Sequence, residues 1–308
     1  MTQRPCRGLA AALVAISLVA LGATSPAAAQ SPAGPGDFAG RVEIPGGRSL
    51  YLECRGSGFP TVVLEAGLRS RGDVWTGSRR GVGTGVASRV SRFTRVCFYD
   101  RPGTLARFPD VSRSDPVPMP RSTGEVVADL HALLTAAGVP APYVMAGAST
   151  GGLIVRQYAG LHPAEVSGLV LVDAISEGME RFMKPRQFAR YDARYLQSPS
   201  ADALRYDHLE KIDFRRSFAE VTPLRRSPRR LPVFVLSAAR GFSPPPGVGR
   251  RFATLVNRVW RRSQLYLARL HPQTKRVVAL GSGHQIHVNR PALVTRFVLR
   301  MVTRARAG

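Results

Sequence analysis

Lysine is almost missing from this chain of 308 residues. Of 44 basic residues only Lys184, Lys211 and Lys275 are lysine, and the 20 acidic residues leave a formal charge of +24. No Asp or Glu follows Glu220, so the C-terminal part can supply bases but no carboxylate. The three cysteines are too few for a disulfide-dense scaffold and lack zinc-ligand spacing. Helix-turn-helix patterns, zinc-finger spacing and aromatic-rich RNA-binding motifs are absent, so the positive charge is not read as a nucleic-acid footprint. No internal repeat occurs, and beyond the first 29 residues no apolar run is long enough to span a membrane.

The first 29 residues have the layout of a secretory signal peptide. Arg4 and Arg7 precede an almost continuous apolar run over 8–23, and Ala27-Ala28-Ala29 forms a small-residue cleavage site before Gln30. A retained N-terminal anchor is the competing reading; cleavage near Ala29 and secretion are expected. Cleavage removes Cys6, leaving Cys54 and Cys97, and removes two arginines, leaving 24 − 2 = +22. The arginine bias reflects either genome composition or attraction to anionic envelope surfaces, and the latter would be sensitive to salt.

Past a Pro/Gly-rich lead-in over 30–40, short apolar runs alternate with helical periodicity. Residues 41–44 and 49–54 alternate polar and apolar around Pro45-Gly46-Gly47, a hairpin signature. Runs at 61–67, 94–100, 168–174, 232–237 and 276–280 read as strands. Ser122-Thr123-Gly124-Glu125 is a capping box that opens a helix with Val126, Val127, Leu130, Leu133 and Leu134 on one face. His131 in this helix and His162 at a later helix end are read as packing or surface residues. Helices are also expected at 250–270 and near the C-terminus, where Arg296, Arg300 and Arg304 form a solvated stripe. Strands alternating with helices call for a mostly parallel sheet covered on both faces. Residues 176–230 break the rhythm and read as a helical lid inserted in a core of 41–175 and 231–308, with helices expected over 184–196 and 200–218.

The stretch that organises the chain is Gly147-Ala148-Ser149-Thr150-Gly151-Gly152. It joins an apolar run of strand length to a helical segment. A serine at such a handover sits on a tight turn with its hydroxyl exposed, and Gly147 and Gly151, with Gly152, let strand and helix approach. The bland alternative is a glycine-rich turn with an idle serine. A serine nucleophile needs a base and a group to orient that base. His284, in Gly281-Ser282-Gly283-His284 after the last strand, is the expected base, with His287 its local rival. The segment after Leu236 reads Ser-Ala-Ala-Arg-Gly-Phe-Ser and offers no acid. Asp173, at the end of the strand after the serine's helix, is the expected orienter, with Glu177 as runner-up. The oxyanion hole is expected from the N–H of Thr150 and that of Leu68 or Gly67.

These residues resemble the α/β-hydrolase family. Val63-Leu64-Glu65-Ala66-Gly67, Tyr99-Asp100-Arg101-Pro102-Gly103, the 147–152 segment, Leu171-Val172-Asp173-Ala174 and 281–284 occur in that family's order across residues 41–308. The resemblance implies an α/β-hydrolase fold and a Ser149–Asp173–His284 triad. It implies no metal or organic cofactor. It also sets the strands carrying Cys54 and Cys97 side by side, where the two either form a disulfide or stay as buried thiols. The chain departs from the family at Ala148, where histidine is common, and in the segment after Asp100, which leaves the substrate open. The expected function is a secreted serine hydrolase cleaving a small-molecule carboxylic ester or related acyl bond. The alternatives are a non-catalytic binding protein on a hydrolase scaffold and a basic envelope-associated protein. Phe182, Phe188, Tyr191, Tyr195 and Tyr206 either select apolar substrates or pack the inserted segment.

Overall fold

The computed structural model describes residues 1–2, 36–78, 81–226 and 231–307. Apart from residues 1 and 2, the expected leader lies outside the described residues. Eight strands form one sheet: β1 (Phe38–Ile44), β2 (Arg48–Arg55), β3 (Thr61–Glu65), β4 (Val96–Tyr99), β5 (Tyr143–Ala148), β6 (Val166–Val172), β7 (Val233–Ala238) and β8 (Thr274–Ala279). Their order is β1-β2-β4-β3-β5-β6-β7-β8. The β1–β2 and β2–β4 pairs are antiparallel, and the pairs from β4 through β8 are parallel. The lead-in is shorter than the composition indicates, because residues 38–40 already pair with β2.

The apolar runs become strands because the sheet is buried on both faces, where alternate side chains enter different cores. Val63, Met145, Leu169, Leu171 and Val235 face one core; Val62, Leu64, Val144, Ala146, Val170, Val172 and Leu236 face the other. The longer helices are α1 (Thr123–Ala136), α2 (Thr150–Leu161), α3 (Phe214–Val221), α4 (Arg250–Leu267) and α5 (Pro291–Arg306). The first core takes Leu130, Leu133 and Leu134 of α1, Leu153, Ile154 and Val155 of α2, and Val256 and Trp260 of α4. The second takes Val294, Phe297, Val298 and Met301 of α5. The capping box at α1 is complete: Ser122 accepts from the Glu125 N–H and the Glu125 side chain accepts from the Ser122 N–H.

The segment between β6 and β7 is less helical than its composition indicates. Pro185–Tyr191 is α-helical and runs into a π-helical turn at Asp192–Leu196. The helix expected over 200–218 does not form; a short turn at Ala203–Arg205 and α3 stand in its place. Tertiary pairing takes the backbone groups between them. The Glu210 N–H donates to the Gly103 carbonyl at 2.8 Å, the Arg121 N–H to Lys211 at 2.9 Å, and the Asp213 N–H to Arg121 at 2.9 Å.

Cys54 and Cys97 occupy directly opposed positions on β2 and β4, both buried, and are joined by a disulfide. Their sequence separation is 43. Closing a loop of that size in the unfolded chain is worth about 2–4 kcal/mol. Intact mass under non-reducing conditions is expected to be two hydrogens below the reduced form. Replacing both cysteines by alanine is expected to lower stability by about that amount; alkylation of both thiols in the native protein would show the bond absent.

Candidate active site

Ser149 stands alone between β5 and α2 with φ 54° and ψ −118°. That left-handed backbone is costly for a residue with a Cβ and persists only where its surroundings over-determine it. Here the Ser149 N–H donates to the Val172 carbonyl at 3.0 Å, and its own carbonyl accepts from Gly152 at 3.1 Å and Ile175 at 3.0 Å. The crossing is too tight for side chains. A Cβ on Gly147 would sit 2.3 Å from the Gly151 carbonyl oxygen, and one on Gly151 2.3 Å from that of Glu65.

Asp173 follows β6, also with positive φ, at 43°, and is almost wholly buried. Three donors converge on its carboxylate. Oδ1 accepts from the Ala238 N–H at 2.9 Å, and Oδ2 accepts from the Trp260 indole N–H at 3.1 Å. Oδ2 also lies 2.8 Å from Nδ1 of His284. An ionised carboxylate can only accept, so Nδ1 carries the proton and Nε2 keeps its lone pair. The imidazole is clamped against Phe242, centroids 4.6 Å apart, and meets Trp260 nearly edge-on at 5.4 Å. The segment after Leu236 offers no acid, yet it supplies both the Ala238 N–H and Phe242 to this constellation.

The two rivals have other neighbours. Glu177 is buried, but the Arg156 charge, a two-pronged Arg156 bond and the Tyr266 hydroxyl hold its carboxyl below the usual range. His287 packs against Trp75 with centroids 4.8 Å apart. Burial pushes its pKa down to about 3, so it stays neutral.

Gly67 lies against Ser149, since a Cβ built there would be 3.4 Å from the serine Cβ. Thr150 is the first residue of α2, where helix geometry leaves its N–H without an intrahelical acceptor. Among the described residues, the Leu68 N–H also has no backbone acceptor. The segment bearing Gly67 and Leu68 is held from below by charges that the sequence reading missed. Arg101 is buried and pairs with Glu65. It donates to the carbonyls of Ala66 at 3.0 Å and Gly67 at 2.7 Å, and to Glu210 Oε1 at 2.6 Å. Glu210 Oε2 in turn accepts the Arg69 N–H at 2.5 Å. A signal was available: Glu65 closes an otherwise apolar buried strand, and a buried acid needs a cation.

Ser149, Thr150, Gly67, Leu68 and His284 line one cleft of about 280 Å³, together with Arg69, Ile175, Tyr191, Tyr195, Phe242, Trp260 and His287. That volume is at the lower edge of what small-molecule sites occupy, roughly 300–1,000 Å³. Of Phe182, Phe188, Tyr191, Tyr195 and Tyr206, the two tyrosines Tyr191 and Tyr195 line it. Phe188 packs on Phe218, Phe182 on Tyr266, and Tyr206 beside Leu105. Among the described residues one group could hold a metal ion, His131, His162 and Glu165. Its two rings are stacked 3.9 Å apart and 5° from parallel. Their lone pairs therefore run side by side rather than converge, and Glu165 already accepts from Tyr158 at 2.5 Å.

The sequence pattern of the alpha/beta hydrolase fold matches residues 46–254. The chain belongs to the α/β-hydrolase family. An uncharacterized protein of Schizosaccharomyces pombe is 32% identical over 145 residues, which are 41% of this chain and 26% of that protein. The chain thus spans about a quarter of that relative's length. Among solved α/β-hydrolase structures, a thermophilic esterase from Thermogutta terrifontis aligns with a TM-score of 0.55 at 18% identity, over 87% of this chain and 99% of that one. Est816, described as an N-acyl homoserine lactone degrading enzyme, aligns with 0.55 at 20% identity, over 85% and 99%. At such identities the likeness is one of fold.

Proposed function

We propose that this α/β-hydrolase is a serine esterase acting on small carboxylic esters or closely related acyl bonds. The observation that carries this reading is the His284–Asp173 pair at 2.8 Å, which leaves Nε2 of His284 as a base in the cleft that Ser149 also lines. In this reading His284 takes the Ser149 hydroxyl proton as Oγ bonds to the substrate carbonyl carbon. The oxygen that becomes negative is held by the N–H of Thr150 and that of Leu68 or Gly67; each such donor is worth about 3 kcal/mol in the transition state. Asp173 stabilises the imidazolium, which then protonates the departing alcohol as the C–O bond breaks. Water, deprotonated by the same imidazole, then bonds to the acyl carbon; the carbon–Oγ bond breaks, the imidazolium returns its proton to Ser149, and the acid leaves.

An extracytoplasmic location completes the proposal. It is supported by the Cys54–Cys97 disulfide, since such bonds persist in oxidising compartments. The excess of arginine would draw the protein to anionic envelope material in a salt-sensitive way.

A fluorophosphonate probe tests the reading. Peptide mass spectrometry is expected to place a single label on Ser149, with p-nitrophenyl ester turnover falling in proportion to labelling. Folded protein that takes no label and turns over no ester would leave a binding scaffold instead.

A further inference from the structure

The cleft holds one fixed charge. Among the described residues that line it, Arg69 is the sole Arg or Lys, and none is Asp or Glu. The other ionisable side chains there are two tyrosines and two histidines, of which His287 is kept neutral by burial.

Arg69 sits two residues beyond Gly67 with φ 60°, a third non-glycine residue in the left-handed region beside Ser149 and Asp173. Its backbone is pinned: the N–H donates to Glu210 Oε2 at 2.5 Å, and the carbonyl accepts from Leu105 at 2.9 Å. Its guanidinium is half-buried, feels the Glu210 charge, and spends its hydrogen bonds on carbonyls. Nε donates to the Glu210 carbonyl at 3.2 Å and Nη2 to the Leu196 carbonyl at 2.8 Å. The Glu210 carboxylate is spent on Arg101 and on the Arg69 N–H. Among the described residues Nη1 has no hydrogen-bond partner, and the guanidinium forms no ion pair within 4.0 Å. Arginine remains charged even where burial works against it, as it does here.

A guanidinium whose hydrogen bonds go to neutral carbonyls, with a nitrogen to spare, in a cleft that no carboxylate lines among the described residues, is a receptor for an anion. We infer that Arg69 binds an anionic group of the substrate, so that this enzyme selects esters bearing a carboxylate or similar anion over neutral esters of the same shape. The chain's excess of 44 basic over 20 acidic residues acts in the same direction by raising the local concentration of such substrates. The inference rests on Ser149 being the nucleophile.

The test compares p-nitrophenyl hemiesters of succinate, glutarate and adipate with the neutral esters of equal chain length. Acetate and butyrate esters of 4-hydroxy-3-nitrobenzenesulfonate, set against the corresponding nitrophenyl esters, carry the anion on the leaving group instead. At least one series is expected to show an anionic-to-neutral ratio of kcat/KM well above one. Arg69→Met is expected to lower that ratio about tenfold or more, the scale of a charged hydrogen bond, and Arg69→Lys to keep part of it. A merely structural arginine would change both members of each pair together and leave the ratio where it was. Calorimetry on Ser149→Ala supplies a readout that needs no turnover: glutarate should bind at low salt, and adding Arg69→Met should abolish that binding. Ratios near one in both series, or ratios and glutarate binding that survive Arg69→Met, would overturn the inference. Absence of probe label on Ser149 would instead strike at the esterase reading beneath it.

Discussion

Asp173→Asn is expected to lower kcat about 10⁴-fold on a p-nitrophenyl ester, the usual scale when the orienting acid of such a triad is neutralised. The geometry explains why asparagine cannot substitute. Three donors point at the carboxylate: Ala238 N–H at Oδ1, and Trp260 N–H and His284 Nδ1–H at Oδ2. An amide has one oxygen. If that oxygen faces His284 and Trp260, its NH₂ meets the Ala238 N–H. If it faces Ala238, the NH₂ meets Nδ1, which must then accept, so the proton moves to Nε2 and the base is lost. Either placement leaves a buried donor unsatisfied, at a cost of about 1–3 kcal/mol, so the melting temperature should fall modestly while the protein still folds. Steady-state kinetics with a thermal melt on the same sample reads both effects. A kcat within a few-fold of wild type would remove Asp173 from the machinery.

Arg101→Met is expected to cost about 3–5 kcal/mol of stability, because it strands two buried carboxylates. Glu65 and Glu210 are almost fully buried and share this one guanidinium. The loss depends on pH with a definite sign. Burial already pushes the Glu65 carboxyl up, with Arg101 opposing. Removing Arg101 raises it further, so the penalty is smallest in acid, below the usual carboxylate range. It grows as pH rises through the raised value. Urea unfolding at several pH values measures this; a deficit independent of pH would mean lost packing rather than stranded charge. Because Arg101 also holds the Ala66 and Gly67 carbonyls, residual activity should fall by more than the folded fraction.

The two experiments probe different layers of one design. Asp173, Ala238 and Trp260 fix the imidazole from the β6–β7 side of the sheet. Glu65, Arg101 and Glu210 fix the Gly67–Leu68 segment from the β3 side and tie it to the insertion. Ser149 lies between them on the turn after β5. Neither layer can relax without moving a group that faces the cleft.

The parts of this protein legible in its sequence are those set by local chemistry. Unbroken apolar runs specify buried strands, because one face of each must enter each core. Ser122 and Glu125 announce the start of α1 because their capping bonds close within four residues. Gly147 and Gly151 mark the turn at Ser149 because a strand cannot cross a helix so closely with side chains present. The lack of any acid beyond Glu220 narrowed the partner of His284 to Asp173 or Glu177, and the structure sets Asp173 2.8 Å from it. What only the tertiary structure decided depends on groups distant in sequence. Residues 206–213 have a composition that permits a helix, yet pairing with Gly103 and Arg121 drew the backbone out of it. Trp260 reaches Asp173 across 87 positions, and Arg101 reaches Glu210 across 109. A buried charge needs a partner, but sequence cannot say which one, because that choice is made by which chain segments the fold brings within about 3 Å.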